Sequence, residues 1–101
     1  MEALTEALKH ENMHVRKMAA LALGDIGPAA HSVIPILVNT LLHDQEAGVR
    51  RRAAIALGEI GAQEAIPALL QACQDSHEGV RRAAASALAE IGQTVPAAKA
   101  A

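Results

Sequence analysis

The chain has 101 residues, a formal net charge of −2, 51% apolar residues, and no Phe, Tyr or Trp. That is one domain's length, residues 1–101, and near-neutrality without rings removes the basic stripe and stacking platforms of nucleic-acid binders. No basic–apolar–small leader opens the chain, no apolar run reaches the ~20 residues of a membrane span, and the lone Cys73 cannot close an internal disulfide; the expectation is a cytoplasmic protein with neither a membrane nor a nucleic-acid partner.

The first predicted element is a short helix over 2–10, EALTEALKH. It is followed by HENMH at 10–14, which has the H-E-x-x-H pattern of zinc proteases. That chemistry needs both histidines on one continuous helix, four residues apart, so that they project together.

Next comes Val15–Gly27, VRKMAALALGDIG, which recurs at Val49–Gly61 as VRRRAAIALGEIG and at Val80–Gly92 as VRRAAASALAEIG. The first and second agree at nine of thirteen positions and the second and third at ten. Repetition at a period of this size means stacked supersecondary units. In the middle segment Val49, Ala53, Ala56, Leu57 and Ile60 fall on one helical face. Gly27, Gly61 and Gly92 stand where a left-handed residue ends a helix. Gly24 and Gly58 lie inside the pattern at a cost of ~1 kcal/mol each relative to Ala, which close helix packing would offset; Ala89 holds the same place in the third segment.

A second helix follows each of the first two segments. VIPILVNTLLHD (Val33–Asp44) matches AIPALLQACQD (Ala65–Asp75), with Pro35 and Pro67 in the first turn and stripes of Ile34, Leu37, Leu41 and of Ile66, Leu69, Cys73. After Gly92 a further second helix begins at Val95 and Pro96. In this register HENMH occupies the slot of DQEAG (Asp44–Gly48) and DSHEG (Asp75–Gly79), a turn in which Asp44 and Asp75 are candidate N-caps and Asp75 with Glu78 has capping-box spacing. A helix boundary is therefore expected between His10 and His14, and no metal, cofactor or catalytic residue is assigned.

The motif VRxxAAxALGxIG followed by IPxLL resembles the HEAT-like repeat of the short bacterial kind, as in phycobilisome-lyase-type proteins, over nearly the whole chain. The resemblance implies an all-α solenoid of about three antiparallel helix pairs with partial helices at both ends, in units of about 1–10, 11–43, 44–74 and 75–101. It also implies a structural ladder in which an Asp six residues before an Arg pairs within and between units: Asp44 with Arg50, Asp75 with Arg81. Arg16 has His10 in place of the Asp, so that end is expected to be the weaker one. A second HEAT-like family, the di-iron hydroxylases, places His-Glu ligand pairs just after the VR; here those positions are Lys17-Met18, Arg51-Arg52 and Arg82-Ala83, and His77-Glu78 lies before Val80.

Second helices of such solenoids line the concave face where protein partners dock. Removing the core stripes leaves Ser32, Ile36, Asn39 and His43 on one second helix, Glu64, Ala68, Gln71 and Gln74 on the next, and Ala3, Glu6 and Lys9 on the first fragment. Lys17, Arg51 and Arg82 form one row across units and Asp25, Glu59 and Glu90 another, both read as solubilising; Leu21 and Ile55 lie between them, either packed on the adjacent helix or forming an apolar strip. The expected function is a non-catalytic scaffold or adaptor for a protein partner. The alternatives are a subunit of a bilin-lyase-type assembly and a nucleic-acid-binding solenoid, the latter opposed by the charge balance. Unfinished units at both ends would expose apolar edges and promote self-association at high concentration. A piece of a longer array, a complete small protein and an engineered array all fit this pattern; uneven loops favour a natural origin.

Overall fold

A computed structural model describes residues 2–92. They form six α-helices and two 3-10 segments: α1 Glu2–Ala7, α2 Met13–Ile26, the 3-10 segment Gly27–Val33, α3 Ile34–His43, α4 Ala47–Ile60, the 3-10 segment Gln63–Ala65, α5 Ile66–Ala72 and α6 Glu78–Gly92. No strand occurs among the described residues. The second helix expected from Val95 and Pro96 lies outside them.

The helices form two layers. The first helices α2, α4 and α6 lie side by side, and α1, α3 and α5 cover them. Each covering helix packs most closely on the first helix that follows it, α1 on α2, α3 on α4 and α5 on α6. The result is a slab of 41 × 30 × 17 Å.

Between the layers runs one aliphatic seam, in which Leu23, Leu37, Leu41, Leu57, Leu69, Ile91, Val49 and Val80 are almost fully excluded from water. With no ring to fill space, the seam closes by small residues. Ala19, Ala20, Ala53, Ala54, Ala56, Ala84 and Ala87 are buried in the first-helix layer. A Cβ at Gly24 would lie 3.0 Å from the Ala56 Cα, and one at Gly58 would lie 2.9 Å from the Ala87 Cα. Close backbone approach is thus what these two interior glycines supply.

The helix ends follow local chemistry. Gly61 adopts φ 77°, ψ 40°, and the N–H groups of Gly61 and Ala62 both donate to the Leu57 carbonyl, closing α4. Gly27 departs from the expected left-handed helical value: φ is 74° but ψ is −145°. The cause is Pro28, whose ring disfavours helical ψ in the residue before it. The chain then runs through the longer 3-10 segment, which accounts for most of the uneven repeat length. The stretch Met13–His43 has, by length and composition, a window apolar enough to cross a membrane, contrary to the sequence reading. Gly27 and Pro28 divide it into α2 and α3, which belong to different layers.

Candidate functional site

The turns that connect each covering helix to the next first helix are built around arginine. Arg16, at the start of α2, donates through Nε (2.8 Å) and Nη2 (3.1 Å) to the two carboxylate oxygens of Asp44 in the following turn. Its Nη1 donates to the carbonyls of His10 and Glu11. Arg50 repeats the arrangement one unit on, with Nε and Nη2 on Asp75 at 2.9 and 3.1 Å and Nη1 on the Asp44 carbonyl at 2.8 Å. A forked guanidinium thus ties each unit to the next by a bidentate pair and to its own turn by a carbonyl.

This geometry corrects two readings from spacing. Asp44 does not pair with Arg50 through its carboxylate; that carboxylate meets Arg16, and Arg50 takes only the Asp44 carbonyl. The His10 end is not the weaker one either. Arg16 is buried and its rung is complete. Because the ladder runs forward, from each Arg to the next unit's Asp, the open rung is the last. Arg81 is exposed and donates Nη1 to its own Asp75 carbonyl at 2.8 Å, and no carboxylate meets its fork among the described residues.

The aspartates also fold their turns. Asp44 and Asp75 accept from the backbone N–H groups of Glu46 and His77 at 3.0 and 2.9 Å. They therefore close an Asx turn ahead of the helix rather than acting as N-caps, and Glu78 pairs with Arg82 at 2.9 Å instead of completing a capping box. His10 reproduces this turn with Nδ1, which accepts from the Asn12 N–H at 3.0 Å. Burial opposes ionisation of Asp75, but its hydrogen bonds from Arg50 and the His77 N–H prevail and hold its pKa below the ordinary aspartate value. The Asp44 hydrogen bond likewise raises the pKa of Arg16.

HENMH falls where the repeat register puts it. His10 lies before the helix, Asn12 caps α2 by accepting from the His14 N–H at 2.8 Å, and His14 sits in the first turn. The two imidazoles do not share a helix. Among the described residues no three His, Cys, Asp or Glu side chains converge on a metal-sized site. An open hollow of about 570 Å³ lies here, lined by Lys9, His10, His43 and the Arg16–Asp44 rung.

The charged rows are seam elements as well as solubilising ones. Lys17 lies across Gly48 of the next unit, 3.0 Å from where a Cβ would be, and Arg51 lies across Gly79 at 3.4 Å. At the other end of the helices the row reaches backwards, with the Glu59 carboxylate over Gly24 and the Glu90 carboxylate over Gly58. Burial, then the neighbouring Asp25 and Glu90 charges, raise the Glu59 pKa, with Arg52 opposing. Ile55 is half-buried against the core and lines a groove of about 380 Å³ with Arg51, Gly79, Arg82 and Ser86; Leu21 is half-buried too.

On the covering layer the candidate partner residues divide. Ser32, Asn39 and His43 are exposed on the α3 side and Glu64, Gln71 and Gln74 on the α5 side. His31 and Glu64 pair at 2.6 Å, bridging the two 3-10 segments. Ala68 is buried and Ile36 half-buried, so neither presents the open surface expected of it. The packing of α5 against both α3 and α6 widens the buried face beyond one stripe. Leu70, 57% exposed, was passed over by stripe counting; it lies outside the Ile66–Leu69–Cys73 spacing, and that is the signal that could have found it. Pro67, Leu70, Gln71 and Gln74, three or four residues apart, form one wet face.

The pattern of one protein family, described as HEAT repeats, matches residues 1–47 and 34–101. No curated protein matches the chain.

Proposed function

The chain belongs to the HEAT repeat family, whose members are generally protein–protein interaction scaffolds, and on that premise we propose that it is a non-catalytic adaptor that binds a protein partner on its covering layer. The observation that supports this most is the composition of the exposed α3 and α5 faces. Asn39, Gln71 and Gln74 offer amides that donate and accept, His43 adds an imidazole, and on α5 Leu70 shares the face of the two glutamines as a large uncovered side chain. None of these groups is spent on the core, on a cap or on the ladder. Amide-rich surfaces around an apolar anchor suit an interface with a small buried centre and a polar rim.

Within the family we place the chain with the short repeats of the phycobilisome-lyase-type proteins, because VRxxAAxALGxIG recurs three times with few changes. A reduced, cytoplasmic setting suits the single free thiol of Cys73, half-buried against the core. The exposed Met18 and Ile26 on α2 support weak self-association at high concentration.

Affinity capture from the native host tests the surface. A partner retained by the natural chain should be lost with Asn39→Arg combined with Leu70→Arg, two exposed changes that leave thermal stability in place. Retention of the same partner by that double variant removes the covering layer as the binding surface.

A further inference from the structure

Each first helix carries the same short pattern on the side turned away from the covering layer. On α4 it is Arg51, Ile55 and Glu59: a cation, a middle residue and an acid, four residues apart. The matching places are Lys17, Leu21 and Asp25 on α2 and Arg82, Ser86 and Glu90 on α6. Side chains at this spacing share one helical face. Turned end for end about its middle residue, each helix therefore sets acid against cation and cation against acid. All three helices do so about one common row, Leu21, Ile55 and Ser86. The face lies across the units rather than at either end of the molecule, so whatever stacks beyond α2 or α6 leaves it open.

Its charges are largely unspent. Arg51, Asp25, Glu59 and Glu90 are exposed, and Lys17, Leu21 and Ile55 are half-buried. Among the described residues these five charged side chains make no ion pair; Arg82 alone is taken, by Glu78 at 2.9 Å in open solvent. Burial, then the Asp25 and Glu90 charges, raise the Glu59 pKa against the opposing Arg52. The acidic row is thus a concentration of like charge that a facing cationic row would relieve. Between Arg51 and Arg82 opens the groove of about 380 Å³, lined also by Gly79 and Ala83, with room for an incoming acidic side chain.

We propose that this outer face binds a second copy of the chain. The two-fold axis lies in the interface along the Leu21–Ile55–Ser86 row, so α2, α4 and α6 each lie antiparallel on their own counterparts. Arg51 of one copy then stands over Glu59 of the other, and Ile55 meets Ile55 on the axis. Such a contact is self-complementary and closes at two copies. An axis parallel to the helices would instead set cations on cations. The rows lie about 12 Å apart along helices spaced about 10 Å, so the two copies together bury roughly 1,000 Å², the low end for a specific contact. The dimer therefore forms in concentrated solution and leaves the dilute chain monomeric. Its surface is separate from the covering layer and from Met18 and Ile26 on α2.

Sedimentation equilibrium at low salt tests the arrangement on α4. Glu59→Lys and Arg51→Glu each turn two symmetric contacts from attraction to repulsion, and each should weaken the dimer about tenfold. An equimolar mixture of these two variants restores both contacts in the heterodimer and should return the affinity to within about threefold of the natural chain. Mixing Arg51→Glu with Asp25→Lys, the same charges on different helices, leaves one repulsive contact on each of α2 and α4. That mixture should stay at the level of the single variants. Added salt should weaken the natural dimer. The substituted residues are exposed, and an unchanged helical circular dichroism signal verifies the folds. A natural chain that stays monomeric in concentrated solution overturns the proposal. Self-association untouched by either charge reversal also overturns it and returns the contact to Met18 and Ile26. Equal recovery in the matched and mismatched mixtures overturns the antiparallel register.

Discussion

Neighbouring units meet along two kinds of seam, one between first helices and one between covering helices, and the two are built differently. Where α4 lies on α6 the backbones come close, Gly58 faces Ala87, and an arginine fork clasps the next turn. Where α3 lies beside α5 the backbones approach in fewer places, and the residues between them include the half-buried Ile36, Val38 and Leu42. Small residues and one ion pair give the first seam its cohesion. The second seam relies on aliphatic side chains that tolerate exchange, which leaves its outer surface free to vary. The repeat motif is accordingly strict on the first helices and loose on the second.

The largest effect should come from the clasp. Arg50→Ala strands the Asp75 carboxylate, 12% exposed, and should cost about 3 kcal/mol in denaturant unfolding, the scale for breaking a largely buried pair. Arg81→Ala, on the open rung, should stay within about 0.5 kcal/mol. The gap between the natural chain and Arg50→Ala is also pH-dependent. The folded pKa of Asp75 is lowered, so its contribution is complete above the unfolded aspartate value and is lost as pH falls through the folded one. Equal costs for the two arginines would mean that the rung adds nothing beyond burial of its stem.

The next effect probes close approach. Gly58→Ala normally gains ~1 kcal/mol in a helix, but here its Cβ would sit 2.9 Å from both the Cα and the Cβ of Ala87. Overpacking against backbone should turn the gain into a net loss of about 1–2 kcal/mol. Ala89→Gly, the reverse change at the equivalent exposed place, should lose no more than about 1 kcal/mol. On the wet face of α5, Leu70→Ser should lie within about 0.5 kcal/mol, since the side chain is uncovered. Thermal or denaturant melts of the three variants rank these losses.

These contrasts show what the sequence could and could not express. The helices, the glycine stop at Gly61, Pro35 and Pro67 in their first turns and the need for closeness at Gly24 and Gly58 all follow from rules local to one helix. The direction of the ladder did not, because in a repeating chain each aspartate stands between two arginines, Asp44 between Arg16 and Arg50 and Asp75 between Arg50 and Arg81. Only the fold shows that the nearer arginine takes the carbonyl and the one 28 residues back takes the carboxylate. Ala68 failed for a related reason: a stripe is counted on one helix, whereas burial on α5 is decided by two neighbours. The draping of Lys17 and Glu59 over glycines of adjoining units was likewise hidden, since a row of like charges reads as solvated until the facing surface is known.

The smallest effect concerns that acidic row, and its sign separates packing from charge. Glu59 is exposed overall, yet its carboxylate rests over Gly24, and burial with Asp25 and Glu90 raises its pKa in the fold. A raised carboxyl pKa means the charged form is disfavoured on folding. The penalty is absent while Glu59 is protonated in both states and grows as pH rises through the unfolded glutamate value. Glu59→Gln keeps the stem over Gly24 and removes the charge. It should therefore stabilise the protein at pH 7 by a few tenths of a kcal/mol, the scale of an exposed like-charge pair. The gain should vanish below the ordinary carboxylate range and shrink with added salt, because the neighbouring charges are solvent-screened. Melts at pH 7 and at acid pH, in low and high salt, measure it. A loss at pH 7 would instead show that the carboxylate itself holds the seam, and the second row would then join the arginine clasp as a source of cohesion between units.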